Sequence, residues 1–336
     1  MNKVFITGAT GLVGSSIARR LLQKGYAVKA IKRSNSKLDL LGEDASKIEW
    51  LNGDVGDIFS LQEGMQGVSH VVHSAAVISF RTEDEELMMN TNVEGTANVM
   101  NCALEADVKR VLHISSVAAF CRPKGTNVID ENQDIKDSKD NFSYYRSKFL
   151  GEREALRAHA EGLNVVIINP STILGGGYWH LDPNKIFPQV DSSYPFYTNG
   201  TNGFVDVRDV CEIGIRLLES EITGEKFIVS AENISLRDVM YKIADELGVK
   251  HPQWPVGRGL AALAWRADWL KSKLTSTPHN ITKDLIEVAL TDFKYSNEKV
   301  KKELNYSFIP LEKTIKDVAE LYKKNKQAGF CIPLLK

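Results

Sequence analysis

Residues 3–24 read KVFITGATGLVGSSIARRLLQK, and the eight from Thr7 to Gly14 constrain the fold more than any other stretch. The β-rich run KVFIT stops at Gly8. From Leu12 to Lys24, Val13, Ile17, Ala18, Leu21 and Leu22 recur at helical spacing, and Gly25 stands where a terminating glycine is expected. Gly8, Gly11 and Gly14 follow a G-x-x-G-x-x-G spacing. A strand that enters a helix through such a turn lets backbone N–H groups and the helix N-terminus approach a pyrophosphate.

The same rhythm continues. AVKAI (27–31), IEWL (48–51), HVVH (70–73), RVLHIS (110–115) and NVVIIN (164–169) are short runs rich in Val and Ile. Helical segments are expected at about 57–66, 84–106 and 142–162. Apolar strands separated by helices predict an α/β fold, a Rossmann-type doubly wound parallel sheet with helices on both faces. From about 170 the pattern changes. NPSTILGGGYWHLDPN and SSYPFYTNGTNGF read as loops, while helix 209–220 and KFIVS (226–230) return to the sheet. SLRDVMYKIADELG is an amphipathic helix capped by Ser235, with Gly248 past its end. The expected division is a dinucleotide-binding unit over 1–170 plus about 203–231. A smaller, mostly helical substrate lobe takes 171–202 and 232–336.

The 336 residues exceed the roughly 250–300 at which one core stops growing, which suits a main domain with a lobe. A formal net charge of -1 gives no electrostatic case for nucleic acid. Cys102, Cys121, Cys211 and Cys331 are scattered without a Cys-x-x-Cys pair, so neither a disulfide framework nor a metal site is expected. The opening MNKVFITGATG lacks an export-type apolar region, and no 18-residue apolar run suggests a membrane span. These features predict a cytoplasmic protein.

Two constellations carry chemistry. In NFSYYRSKFLGE (141–152), Tyr144 and Lys148 lie four apart, on one helix face. A phenol of pKa about 10 is only about 0.1% ionised at neutral pH, and a nearby ammonium favours its phenolate. The pair could serve as a proton donor to a carbonyl. RVLHISS ends a strand with Ser115 and Ser116, at the edge where parallel sheets bind ligands. At the end of the second strand, where an NAD site usually carries Asp or Glu, the chain has Lys32, Arg33, Ser34 and Lys37. Cations there attract a 2′-phosphate, so NADP(H) is expected to be preferred, with NAD(H) possible.

Taken in order, TGATGLVG, GDV (53–55), HSAA (73–76), NVEGT (92–96), SS (115–116), YYRSK (144–148), NPSTILG (169–175) and GFVDVRDV (203–210) resemble the extended branch of the short-chain dehydrogenase/reductase superfamily. The resemblance implies that Tyr144 exchanges the proton at the carbonyl. Lys148 would stabilise its phenolate and hold the nicotinamide ribose, and Ser116 rather than Ser115 would orient the substrate. It places Gly8, Thr10, Gly11, Leu12 and Val13 at the phosphates, and Arg33 and Lys37 at the 2′-phosphate. Asp54 and Val55 match the adenine edge, Ala75 and Ala76 the wall beside the cofactor, and Pro170 and Ile173 the nicotinamide end. Asn92 matches a helix asparagine with a structural role.

The reaction is narrower than the superfamily. Ser116 is followed by Val117 and Ala118 instead of the Asp-Glu pair of sugar-nucleotide dehydratases. Asn202 and Gly203 replace the arginine with which many epimerases meet a diphosphate. The basic KRSNSK loop, NPSTILG and YSNEKVKKELNY (295–306) resemble dihydroflavonol reductases and related carbonyl reductases. An NADPH-dependent reductase of a ketone or aldehyde on a small, partly apolar substrate is therefore expected, with an NAD(P)-dependent nucleotide-sugar epimerase and a non-catalytic dinucleotide-binding redox sensor as alternatives. Phe80, Phe120, Tyr178, Trp179, Tyr194 and Tyr197 are candidates to line an apolar substrate pocket. The amphipathic run GLAALAWRADWLKSKL (259–274) is expected to cover the lobe, with membrane-surface contact as the lesser alternative. By resemblance, helices 84–106 and 142–162 would pair with those of a second copy. Val99, Cys102, Ala103, Leu150 and Leu156 would supply the apolar contact of that homodimer.

Overall fold

The computed structural model describes residues 2–120, 128–133, 142–181, 183–275 and 282–329. In chain order the first strands are β1 (Lys3–Thr7), β2 (Ala27–Lys32), β3 (Glu49–Asn52), β4 (His70–His73), β5 (Arg110–Ile114) and β6 (Val165–Pro170). Then come β7 (Thr172–Leu174), β8 (Phe196–Tyr197), β9 (Thr201–Asp206), β10 (Glu225–Val229), β11 (Glu232–Ser235) and β12 (Trp254–Pro255). The first helices are α1 (Leu12–Gln23), α2 (Ile58–Met65), α3 (Glu85–Met88), α4 (Gly95–Glu105), α5 (Ser143–Ala160) and α6 (Ile186–Asp191). They are followed by α7 (Val207–Leu218), α8 (Leu236–Leu247), α9 (Arg258–Thr275), α10 (Lys283–Leu290), α11 (Glu298–Leu304) and α12 (Leu311–Ala328).

Seven strands form one parallel sheet in the order β10-β6-β5-β4-β1-β2-β3. The alternation along β1 shows why it is buried on both faces. Val4 and Ile6 join a core with Ile17 and Leu21 of α1 and Ile213 of α7. Phe5 points the other way, among Leu61 and Met65 of α2 and Val99 of α4. From β1 the chain builds outward to β2 and β3, then returns to build β4, β5 and β6 on the other side. That reversal opens a crevice beyond the carboxyl ends of β1 and β4. Every residue expected at the cofactor or the chemistry lies in or just after one of these strand ends, or on the helices behind them.

Three expectations need correction. The segment 84–106 is not one helix: α3 passes into a π-helical turn at Met89–Glu94 before α4. The cause is long-range. Asn92 binds the Val77 backbone at both ends of its amide, and Gly151 of α5 packs so close that a Cβ there would lie 2.2 Å from the Asn92 carbonyl oxygen. The segment after 170 is also not merely loop, because β7 and β11 flank β9 in a three-stranded sheet and β8 pairs with β12. Tertiary pairing supplies strands whose sequences carry no periodic signal. Finally, Val99, Cys102 and Ala103 are buried within the protomer and cannot supply a contact to a second copy. Cys102 and Cys211 are buried free thiols, while Cys121 and Cys331 lie outside the described residues.

Candidate active site

The glycine turn tests its own purpose. Gly8 has φ 72°, and a Cβ there would sit 2.6 Å from the Ser74–Ala75 peptide. At Gly14 a Cβ would lie 2.2 Å from the Gly8 carbonyl oxygen. Both glycines are needed for β1, α1 and the chain after β4 to meet. Gly11 differs: its φ of -88° suits any residue, and a Cβ would meet only the Gly8 oxygen, at an ordinary 3.5 Å. No side chain caps this end of α1, and its first turn holds no acidic residue. The turn fits an anion over the helix N-terminus, such as the pyrophosphate of a dinucleotide. Gly11→Ala is expected to melt within a few degrees of wild type yet bind the dinucleotide about 10- to 150-fold more weakly, on the scale of one lost hydrogen bond to a charged group. Calorimetry beside a thermal melt checks this, and unchanged affinity would contradict it.

Arg33 and Lys37, just beyond β2, are exposed. Asp54 and Val55 follow β3; Asp54 Oδ1 accepts from Gly56 N at 2.8 Å, and the Val55 side chain is buried. Ala75 N donates to Thr7 Oγ1 at 3.4 Å, which holds the wall after β4 against the end of β1.

On α5, Tyr144, Lys148 and Glu152 recur every four residues and share one face, while Ser147 and Gly151 on a neighbouring face pack against Asn92. Ser116 Oγ accepts from Ala118 N at 3.1 Å and lies near enough to the Tyr144 phenol to favour its ionised form. Ser115, by contrast, donates to Glu152 Oε2 at 2.7 Å and is turned away. Lys148 Nζ donates to the Ile114 carbonyl at 3.3 Å, at the end of β5. Burial pushes the Tyr144 phenol above its usual pKa, and Ser116 opposes the shift. Burial also lowers Lys148 to about 8, with the Glu152 carboxylate opposing. Asn92 has its amide engaged by Val77 and Ser147, as a structural residue would.

Glu152 is the member that sequence reasoning missed. Its carboxylate also accepts from Asn169 Nδ2 at 2.5 Å and Lys226 Nζ at 3.3 Å, so it ties α5 to β5, β6 and β10. Continuing the four-residue step from Lys148 would have found it. His73 and His113 were missed too. They stack at 5.1 Å within the sheet, and His73 lies 2.7 Å from Thr7 Oγ1 and 2.9 Å from Thr96 Oγ1. Burial, with Lys148 nearby, lowers His73 to about 3 and His113 well below its usual value, so both are neutral at pH 7.

The family model for the NAD dependent epimerase/dehydratase family matches residues 4–230. The chain belongs to this family. It is an NAD(P)-dependent oxidoreductase of the extended short-chain dehydrogenase/reductase type. A Synechocystis protein named "Putative dihydroflavonol 4-reductase" is 30% identical over 330 residues, covering 96% of this chain and 94% of that one. Cinnamoyl-CoA reductase 1 of Petunia hybrida is 27% identical over 339 residues, covering 94% and 92%. The crystal structure of gox2253 superposes with a TM-score of 0.82 at 30% identity, covering 98% of this chain and 99% of that one.

In this member of the family an apolar cavity of about 510 Å³ lies between β7 and α10, and Ser116, Tyr144 and Lys148 are not among its lining residues. Thr172 and Leu174 of β7, Tyr194, Tyr197, Met240 and the Leu285, Ile286, Ala289 and Leu290 side of α10 line it. The same helix sends Val288 against the cluster of Tyr144 and Tyr145, where Phe80 sits edge-on to Tyr144 at 5.7 Å. Of the six aromatics expected to line it, only Tyr194 and Tyr197 do; Phe80, Phe120, Tyr178 and Trp179 are elsewhere. Phe120, 1% exposed, is core among Val117, Ile129 and Ile228. Trp179 packs edge-on against Phe187 and Tyr322. Tyr178 stands against His180, in the segment whose Gly177 approaches Leu12. Among the described residues no group of His, Cys, Asp and Glu is placed to hold a metal.

Proposed function

We propose that the protein reduces a ketone or aldehyde on a bulky, partly apolar substrate, with NADPH as the preferred cofactor. The observation that carries this reading is helix α10, which packs Val288 against the cluster holding the buried Tyr144 and turns Leu285, Ile286, Ala289 and Leu290 to the apolar cavity. When bound, the dinucleotide supplies the hydride for the carbonyl carbon. Tyr144 gives its phenolic proton to the carbonyl oxygen while Ser116 Oγ holds that oxygen in line. Burial keeps the Tyr144 proton in place until the substrate arrives, which suits an acid working in the reducing direction. Lys148 would move from the Ile114 carbonyl to the nicotinamide ribose and steady the phenolate left behind.

The remaining assignments complete the cofactor site. Gly8, Thr10, Gly11, Leu12 and Val13 cradle the phosphates, Arg33 and Lys37 meet the 2′-phosphate, and Asp54 and Val55 border the adenine. Ala75, Ala76, Pro170 and Ile173 enclose the nicotinamide end. In this reading the parallel sheet is the dinucleotide-binding unit, and residues 171–202 and 232–336 form the substrate lobe. We also propose a homodimer through α5, whose Leu150 and Leu156 remain partly exposed. Light scattering should then give twice 37.4 kDa, and a single-chain mass would contradict it.

Filling the cavity tests the substrate reading. Ala289→Phe should raise KM for a bulky apolar ketone about 5- to 150-fold, the equivalent of roughly 1–3 kcal/mol of overpacking. It should leave a small aldehyde and NADPH affinity unaffected. An unchanged KM would place the substrate elsewhere. The rate should also fall on the alkaline side as Lys148, at about 8, loses its proton. The Glu152 carboxylate favours the ammonium, so Glu152→Gln lowers that pKa and moves the alkaline limb to lower pH. Profiles of kcat/KM for both proteins check the sign; a limb that stays or rises contradicts it.

A further inference from the structure

Helix α9 covers the lobe with one face only. Its inner face, with Ala261 and Ala264, roofs the apolar cavity. About 120° around the helix from them, at 100° per residue, Leu263 is 64% exposed and Leu270 54%, in line with Ala267. The outward side of this helix is thus an apolar stripe. Cations border it, with Arg266 and Lys273 along one edge and Lys271 along the other. Within 258–275, Arg258, Arg266, Lys271 and Lys273 stand against one carboxylate, Asp268, in a chain whose net charge is -1. Trp269 is 41% exposed with the Lys273 ammonium 4.3 Å over its ring, and Trp254, 61% exposed, lies just ahead of the helix. An outward apolar stripe, flanking cations and an exposed tryptophan are what an interfacial helix presents to lipid.

We propose that α9 seats the protein on an anionic lipid surface, with the Leu263–Leu270 stripe in the headgroup boundary and the flanking cations on lipid phosphates. The charge pattern selects this occupant: a purely apolar partner would leave these cations without a counterpart. No described helix is long and apolar enough to cross a membrane, so the contact is peripheral. Its use rests on the substrate reading above, because a carbonyl compound dissolved in lipid would then enter the cavity directly beneath the helix. The docking itself does not depend on that reading.

Co-sedimentation separates the two. The full chain is spun with phosphatidylcholine vesicles and with vesicles in which about one-third of the lipid is phosphatidylglycerol, without substrate. Binding to the anionic vesicles alone, weakened by salt, is expected. Lys271→Glu with Lys273→Glu should lower the partition coefficient on the order of 25-fold or more. Leu263→Ser with Leu270→Ser should abolish binding. Both pairs are surface changes, so melting temperature and NADPH affinity should stay at wild-type values. Wild type left in the supernatant, or serine variants that still bind, would overturn the proposal. So would a wild-type dimer that the serine changes dissolve, since the stripe would then be covered by a second copy.

Discussion

Tyr144→Phe should slow carbonyl reduction by about 100- to 10,000-fold, the usual contribution of a positioned general acid. The substitution removes one oxygen from a ring already held by Phe80 at 5.7 Å and Tyr145 at 6.1 Å, so the packing of α5 persists. Ser116 keeps its second contact, since its Oγ also accepts from Ala118 N at 3.1 Å. NADPH affinity should therefore stay near the wild-type value, and the loss should fall on kcat. Lys148→Met should behave differently, reducing both turnover and cofactor affinity. Stopped-flow single turnovers with saturating NADPH separate the two effects. Normal turnover by Tyr144→Phe would mean that the Ser116–Tyr144 pair is a buried structural contact.

Arg33→Ala is expected to give the second large effect, in cofactor choice. The end of β2 carries Lys32, Arg33 and Ser34, with no carboxylate to bridge the adenine-ribose hydroxyls. Lys32 Nζ donates to Asn52 Oδ1 at 3.2 Å, and the Arg33 backbone is fixed by a 3.2 Å bond from its N–H to Ser36 Oγ. Its guanidinium is left exposed at the crevice edge. A hydrogen bond to a charged group contributes roughly 1.5–3 kcal/mol, so the loss should be about 10- to 150-fold in NADPH affinity with little change for NADH. Both dissociation constants, in wild type and variant at one ionic strength, check it. Equal weakening of the two cofactors would contradict the 2′-phosphate assignment.

What could be read in the sequence follows from the range of the interactions involved. The turn from Thr7 to Gly14, the strand end at Ser115–Ser116 and the Tyr144–Lys148 step are set by local periodicity. All of them lie where the alternation of strand and helix predicts. The capped helix with Ser235 and Gly248 is equally local; Ser235 Oγ accepts from Asp238 N at 3.0 Å, and Gly248 takes φ 73°. The π-helical turn at Asn92 was hidden because its cause, the Val77 backbone and the approach of Gly151, comes from distant chain. The cavity was hidden for the same reason, since β7, β8, α8, α9 and α10 each contribute one side to it. Phe120 and Tyr197 are both aromatics in loop-like sequence, and only packing shows that one is core and the other lines the cavity.

The central claim is that this family member reduces carbonyl groups of apolar compounds with NADPH. Its most direct measurement is the fall in nicotinamide absorbance when the protein meets NADPH or NADH with a panel of bulky apolar ketones, small aldehydes and nucleotide sugars. Oxidation of NADPH faster than of NADH, with turnover highest on a bulky apolar carbonyl compound, is the predicted result. Epimerisation of a nucleotide sugar without net cofactor consumption, and no oxidation with any carbonyl compound, would contradict it.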